Sequence, residues 1–215
     1  GRPAGVRTLP RPVQRELPVW ITTAGDPETW RSAGRIGANI LTHLLGQSVE
    51  EIGRKVRLYR EARGAAGHDP DAGRVTIMLH TFVGDDDSRV KDAVREPMIA
   101  YLDQFPVHDM PPAFKRRADG SAAGADLDLA GLSPEERREM LEFSFERYFE
   151  TSGLFGTPAR CLKLVADLAD QGVDEIACLI DFGVETDTVL AHLDHLDRLR
   201  KLAERSGPST AAPAP

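Results

Sequence analysis

Several common protein classes are excluded by what this sequence has little of. It contains two cysteines, Cys161 and Cys178, in 215 residues, too few for a disulfide framework. Cys161 falls in a helical pattern and Cys178 in an apolar strand-like run, so both read as small buried residues of a reducing, cytoplasmic setting. No apolar run approaches the roughly 20 residues that a membrane span requires, and no signal peptide opens the chain. Lys and Arg number 27 against 34 Asp and Glu, and no basic stripe stands out, which argues against a nucleic-acid partner. What remains is ordinary for a soluble globular protein: 41% hydrophobic and 28% charged residues with a net charge of −7, in a length that suits one large domain or two small ones.

The pattern along the chain alternates. Residues 1–18 hold four prolines and read as an extended lead-in. Val19–Thr23 is a strand candidate. Asp26–Gly37 follows as a short helix, with Asp26 as N-cap, Pro27 at the first helical position and Glu28 in the first turn. Asn39–Leu45 is a second apolar run, and Ser48–Ala65 a helix in which Ser48 and Glu51 form a capping box. Arg74–Val83 is a β-branched third strand, then Ser88–Phe105 a helix with a possible break at Pro97. Residues 106–132 are rich in Pro, Gly, Ala and Asp and lack periodicity, as a functional excursion or lid would. Helices at Ser133–Thr151 and Thr157–Gln171, a fourth strand at Ile176–Asp181 and a last helix at Thr186–Ser206 complete the pattern, with a Pro/Ala linker-like tail over 206–215. Strand candidates with continuous apolar cores, each followed by a helix, predict a parallel α/β sheet, either open and doubly wound or closed as a (β/α)8 barrel. The barrel needs about 250 residues and eight such units; four are legible here.

The stretch VWITTAGDPETW, residues 19–30, has its own chemistry. A strand that feeds a helix through a short turn leaves backbone N–H groups at the positive end of a helix dipole, a favourable place for an anion. Gly25 would allow close approach, and Thr22, Thr23 and Thr29 could add hydroxyl donors. An ordinary capped helix explains the same residues without a ligand.

The segments VRTLPRPVQRELPVWITTAGDPETWRSAGRIGANILTHLLGQS, AGRVTIMLHTFVG, YFETSGLFGTPARCLKLVADL and GVDEIACLIDFGVETDTVLAHLDHL together span most of residues 6–203. They resemble the flavin-dependent, bacterial-luciferase-like monooxygenases, and most nearly those found in or beside nonribosomal peptide and polyketide assembly lines. The resemblance implies a (β/α)8 TIM barrel of which this chain is the second half, strands five to eight. It implies reduced FMN, supplied by a separate reductase, at the C-terminal ends of the strands, or a deazaflavin in related barrels. The phosphate would lie at the turn after the first strand, with Thr22, Thr23, Ala24, Gly25, Thr29 and Thr42 as cofactor contacts. Asp26 departs from the Ser often found at its position, and the reading requires its carboxylate to point away and cap.

His43 and His80 end the second and third strands, where a barrel places its chemistry, and are the candidate catalytic residues. Asp181 reads as the cap of the last helix. Gly156 and Thr157 are explained as a turn and a cap, and His192 and His195, three apart, lack the spacing of a metal site; no metal is expected. The partners implied are a small-molecule or carrier-tethered substrate, a flavin reductase, the missing N-terminal half and a second copy in a homodimer. A non-catalytic docking domain of a synthetase is the alternative from a different class.

Overall fold

The computed structural model describes residues 9–10, 13–14, 17–104 and 133–206. The expected lid over 106–132 and the tail after 206 lie outside the described residues. Among the described residues five strands and six helices follow one another, in alternation except at α3 and α4: β1 (Trp20–Thr22), α1 (Pro27–Arg35), β2 (Asn39–His43), α2 (Val49–Ala65), β3 (Val75–Val83), α3 (Asp87–Asp103), α4 (Pro134–Thr151), β4 (Leu154–Gly156), α5 (Pro158–Asp170), β5 (Glu175–Leu179) and α6 (Thr186–Ser206).

Local sequence sets most helix starts. Ser48 accepts from the Glu51 amide while the Glu51 carboxylate accepts from the Ser48 amide, and Ser133 and Glu136 repeat this box at α4. Pro27, Pro134 and Pro158 open α1, α4 and α5, where the missing N–H costs nothing. Pro97 lies inside α3 without ending it. Asp181 does not cap α6. The first backbone bond of that helix runs from the Val189 amide to the Glu185 carbonyl, so the cap position falls four residues later than expected and Asp181 stays exposed.

All strand pairs are parallel. The order is β1-β2-β3, and the far side of the sheet is completed by two short strands that divide the length of β3. Thr76–His80 pairs with β5, and Thr81–Val83 pairs with β4. The three-residue β4 is absent from the sequence reading, which took its residues as a turn; it is fully buried and too short to show a period.

Alternation along the strands separates two cores. Ile40, Leu44, Val75, Ile77, Leu79 and Val83 face the layer of α1, α2, α5 and α6, packing with Trp30, Ile52, Val56, Tyr59, Leu168 and Leu199. The opposite face, called the inner face below, carries Phe82 against the α3–α4 pair through Val94, Met98, Phe145 and Phe149. The two helices run antiparallel. Arg95 pairs with Glu142 and Glu146 at 2.9 Å, and Arg137 with Asp103 at 2.5 Å. Such half-exposed pairs set the register of the helices more than they stabilise them.

Toward the N-terminal ends of the strands the inner face is open. Trp20 is 39% exposed, and Leu41, Met78, Ala177 and Leu179 are half-buried. A polar row crosses it: the Trp20 indole N–H donates to the Thr76 hydroxyl at 3.1 Å, and that hydroxyl donates to Glu175 at 2.9 Å. Among the described residues β1 pairs only with β2 and β5 only with β3, so both sheet edges carry unpaired backbone groups. On β5 this leaves Cys178 exposed, whereas Cys161 is buried. The expectation that both cysteines are buried therefore fails for Cys178, because the strand carrying it is an edge.

Candidate functional site

Two places contain the residues expected from sequence, one at the C-terminal end of β1 and one at the end of β2 and within β3, which runs three residues past His80 and so does not end there as expected. The first is the β1–α1 turn. The Thr23 amide donates to the Leu41 carbonyl at 3.0 Å, which ties the end of β1 to β2. Thr22 is exposed on the inner face, while Thr23 is 7% exposed and, by alternation, lies on the helix-covered side. Ala24 and Gly25 are exposed, and among the described residues their amides have no partner. A side chain at Gly25 would meet nothing within 4 Å, so no described residue requires glycine there.

Asp26 caps α1 as expected, and in doing so takes the donors expected to serve a phosphate. One carboxylate oxygen accepts from the Glu28 amide at 3.1 Å, and the other from the Thr29 amide at 3.3 Å and the Thr29 hydroxyl at 2.8 Å. These bonds, the Thr29 hydroxyl first, hold the Asp26 carboxyl below the usual carboxylate range. The turn thus fits a phosphate only in part: two amides are open, beside a carboxylate.

The second place is the inner face of β2 and β3. His43 and His80 lie on the same face of neighbouring strands, two register positions apart. His80 is 2% exposed, with the Tyr148 hydroxyl 2.8 Å from Nδ1 and no partner at Nε2. The rings of Tyr101, Tyr148 and Phe182 stand edge-on to it at 4.4, 5.6 and 5.4 Å. Burial, with a smaller contribution from His43, brings the His80 pKa down to about 4, so the ring is neutral near neutral pH. Burial lowers the His43 pKa too, and its Nδ1 is enclosed without a partner. A pair of neutral imidazoles can donate or accept single hydrogen bonds, or take up a proton once a charge forms beside them. Thr42 does not share this face. It is 1% exposed on the helix side between Ile40 and Leu44, with Gln47 Nε2 3.5 Å from its hydroxyl.

Tyr101, Tyr148 and Phe182 were not singled out as site residues from sequence. The available signal was the phenol of Tyr148, which stands at helical spacing between Phe145 and Phe149 in α4. The α5 N-terminus is closed to ligands: the Thr157 amide donates to Asp87 at 2.6 Å, and the Thr157 hydroxyl caps the Arg160 amide. His192 and His195 line an open cavity of about 420 Å³, together with Phe82, Asp85, Asp86 and Arg89. The His192 ring lies against Phe82, and its Nδ1 meets the Thr188 carbonyl. No group of metal ligands occurs among the described residues. No helix among them is long and apolar enough to cross a membrane.

A parallel sheet with α1, α2, α5 and α6 on one face, and with His43 at the C-terminal end of its strand, fits the α/β-barrel class. The sequence model of the luciferase-like monooxygenases matches residues 2–175, and the chain belongs to that family. Its fold is similar to that of the oxygenating constituent of 3,6-diketocamphane monooxygenase from Pseudomonas putida, solved with FMN (20% identity, TM-score 0.58, covering 83% of this chain and 46% of that one). It is similar to the monooxygenase RslO1 from Streptomyces bottropensis (20% identity, TM-score 0.54, 88% and 50%). An F420-dependent secondary alcohol dehydrogenase in complex with an F420-acetone adduct is also similar (13% identity, TM-score 0.55, 87% and 49%). The chain spans about half the length of each of these structures. A comparison with curated proteins gave no match.

Proposed function

We propose that this chain is the C-terminal half of a flavin-dependent monooxygenase barrel acting in natural-product biosynthesis, on a small or carrier-tethered substrate of a nonribosomal peptide or polyketide assembly line. The observation that carries the reading is the inner face itself. His43 lies there at the C-terminal end of β2 and His80 beside it within β3, in a sheet whose two edges are open among the described residues and whose chain is about half as long as the barrels it matches. Open edges and a half-exposed apolar face call for partner strands. An N-terminal half supplying four strands would pair with β1 and β5 and complete the pocket.

The cofactor proposed is reduced FMN from a separate reductase, with a deazaflavin as the second reading, since similar folds were solved with each. When bound, the flavin supplies the electrons and the oxygen-activating ring. The chain's own part is to enclose the reacting region with the α3–α4 pair and to present His43 and His80. The working unit proposed is a cytoplasmic homodimer.

The test is to express the chain with an N-terminal half and titrate FMN by fluorescence quenching. Saturable binding by the pair, with oxygen-dependent consumption of reduced flavin, is expected. A pair that assembles yet binds neither FMN nor a deazaflavin would leave the docking-domain reading.

A further inference from the structure

We propose that Asp26 is a specificity-determining residue that weakens the grip on a terminal phosphate at the β1–α1 turn, so that a flavin is held here mainly through its uncharged part. The inference rests on the flavin reading above and concerns which part of the cofactor the chain recognises.

The geometry is that of a site already filled from within. An anion at a helix start draws on the first free amides and on nearby hydroxyls. Here the first helical residue, Pro27, has no N–H to give. The next two amides, of Glu28 and Thr29, go to the two oxygens of Asp26, and so does the Thr29 hydroxyl at 2.8 Å. The carboxylate thus makes, with one negative charge, three of the contacts a phosphate would make.

Two exposed amides remain, those of Ala24 and Gly25. A phosphate dianion reaching them would stand beside the Asp26 carboxylate and face repulsion that the remaining amides do little to offset. Glu28 adds a second carboxylate to the same turn; it is turned toward Arg35 at 2.6 Å and Arg31 at 3.5 Å. A neutral group, or a phosphodiester carrying a single charge, is penalised less than a terminal phosphate.

Asparagine caps helices about as well as aspartate, so Asp26→Asn removes the charge while leaving the cap. Titration of the chain, assembled with an N-terminal half, with FMN and with riboflavin reads the effect directly. The wild type is expected to bind the two within about threefold of each other. Asp26→Asn is expected to tighten FMN binding roughly tenfold and to leave riboflavin binding unchanged. Thr29→Ala is expected not to weaken FMN binding.

Wild-type binding of FMN tenfold or more tighter than riboflavin overturns the inference, as does an FMN-to-riboflavin ratio that is the same in Asp26→Asn. If neither flavin binds, the flavin reading has failed separately, and inorganic phosphate takes over as probe. Phosphate should then shift the Ala24 and Gly25 amide resonances in Asp26→Asn and not in the wild type. Equal shifts in both would overturn the role of Asp26.

Discussion

The hydroxyl of Tyr148 lies 2.8 Å from Nδ1 of His80, across 68 positions of sequence. The contact joins the middle of the central strand to the helix that covers it, and both side chains are 2% exposed. Tyr148→Phe would keep the ring and leave Nδ1 without this partner. Leaving a buried polar atom unpaired costs about 1–3 kcal/mol. Urea unfolding should therefore show a lower midpoint with an unchanged slope; an unchanged midpoint would mean that the bond adds nothing to stability.

The same burial makes stability depend on pH. The His80 pKa is lowered from 6.5 to about 4 in the folded chain. Between those values the unfolded chain holds more protons than the folded one, so stability rises with pH across this window. The contribution is complete above 6.5 and is lost as pH falls toward 4. Its size is on the order of 3 kcal/mol. His80→Phe should lose less stability than the wild type between neutral pH and pH 4.5, measured by urea unfolding at each pH. Parallel pH profiles for the two proteins would refute the assignment to His80.

Two glycines in neighbouring helices should respond to alanine in opposite ways. A Cβ at Gly34 would stand 2.5 Å from the Tyr59 carbonyl oxygen, a backbone atom of α2 that has nowhere to go. At Gly64 a Cβ meets nothing within 4 Å. Gly64→Ala should stabilise by about 0.5–1 kcal/mol through helix propensity. Gly34→Ala should destabilise by about 1–3 kcal/mol, because it forces α1 away from α2. Thermal unfolding of the two variants gives the signs.

The two thiols should separate in labelling. Cys161 is buried and its pKa is pushed up to about 12 by desolvation; desolvation raises that of Cys178 as well, but this residue is exposed on the edge strand β5. Iodoacetamide on the folded chain should modify Cys178 alone, with Cys161 reacting after denaturant is added. Modification of both in the native chain, read by peptide mass, would show that the α5 side of the core opens freely.

Much of the architecture was legible without coordinates. The helices at 48–65 and 133–151 were read nearly to the residue because Ser48–Glu51 and Ser133–Glu136 write their own starts. The strand at 74–83 was read from its β-branched run. The luciferase-like barrel class followed from quoted segments, and the family match supports it. The capping role of Asp26 was legible too, since an acid before Pro-Glu-Thr is a local signal. That the cap would consume both the amide and the hydroxyl of Thr29 was not anticipated.

The sequence by itself determined the order of the helices and of every strand but β4, and where most helices begin, because caps, proline positions and periodicity act within a few residues of each other. Only the tertiary structure decided that β4 and β5 share the length of β3, that Thr42 lies on the helix side while His43 lies on the inner face, that Cys178 sits on an open edge, and that Tyr148 meets His80. Those outcomes join positions far apart in the chain, and burial of one face against another selects them where local propensity is silent.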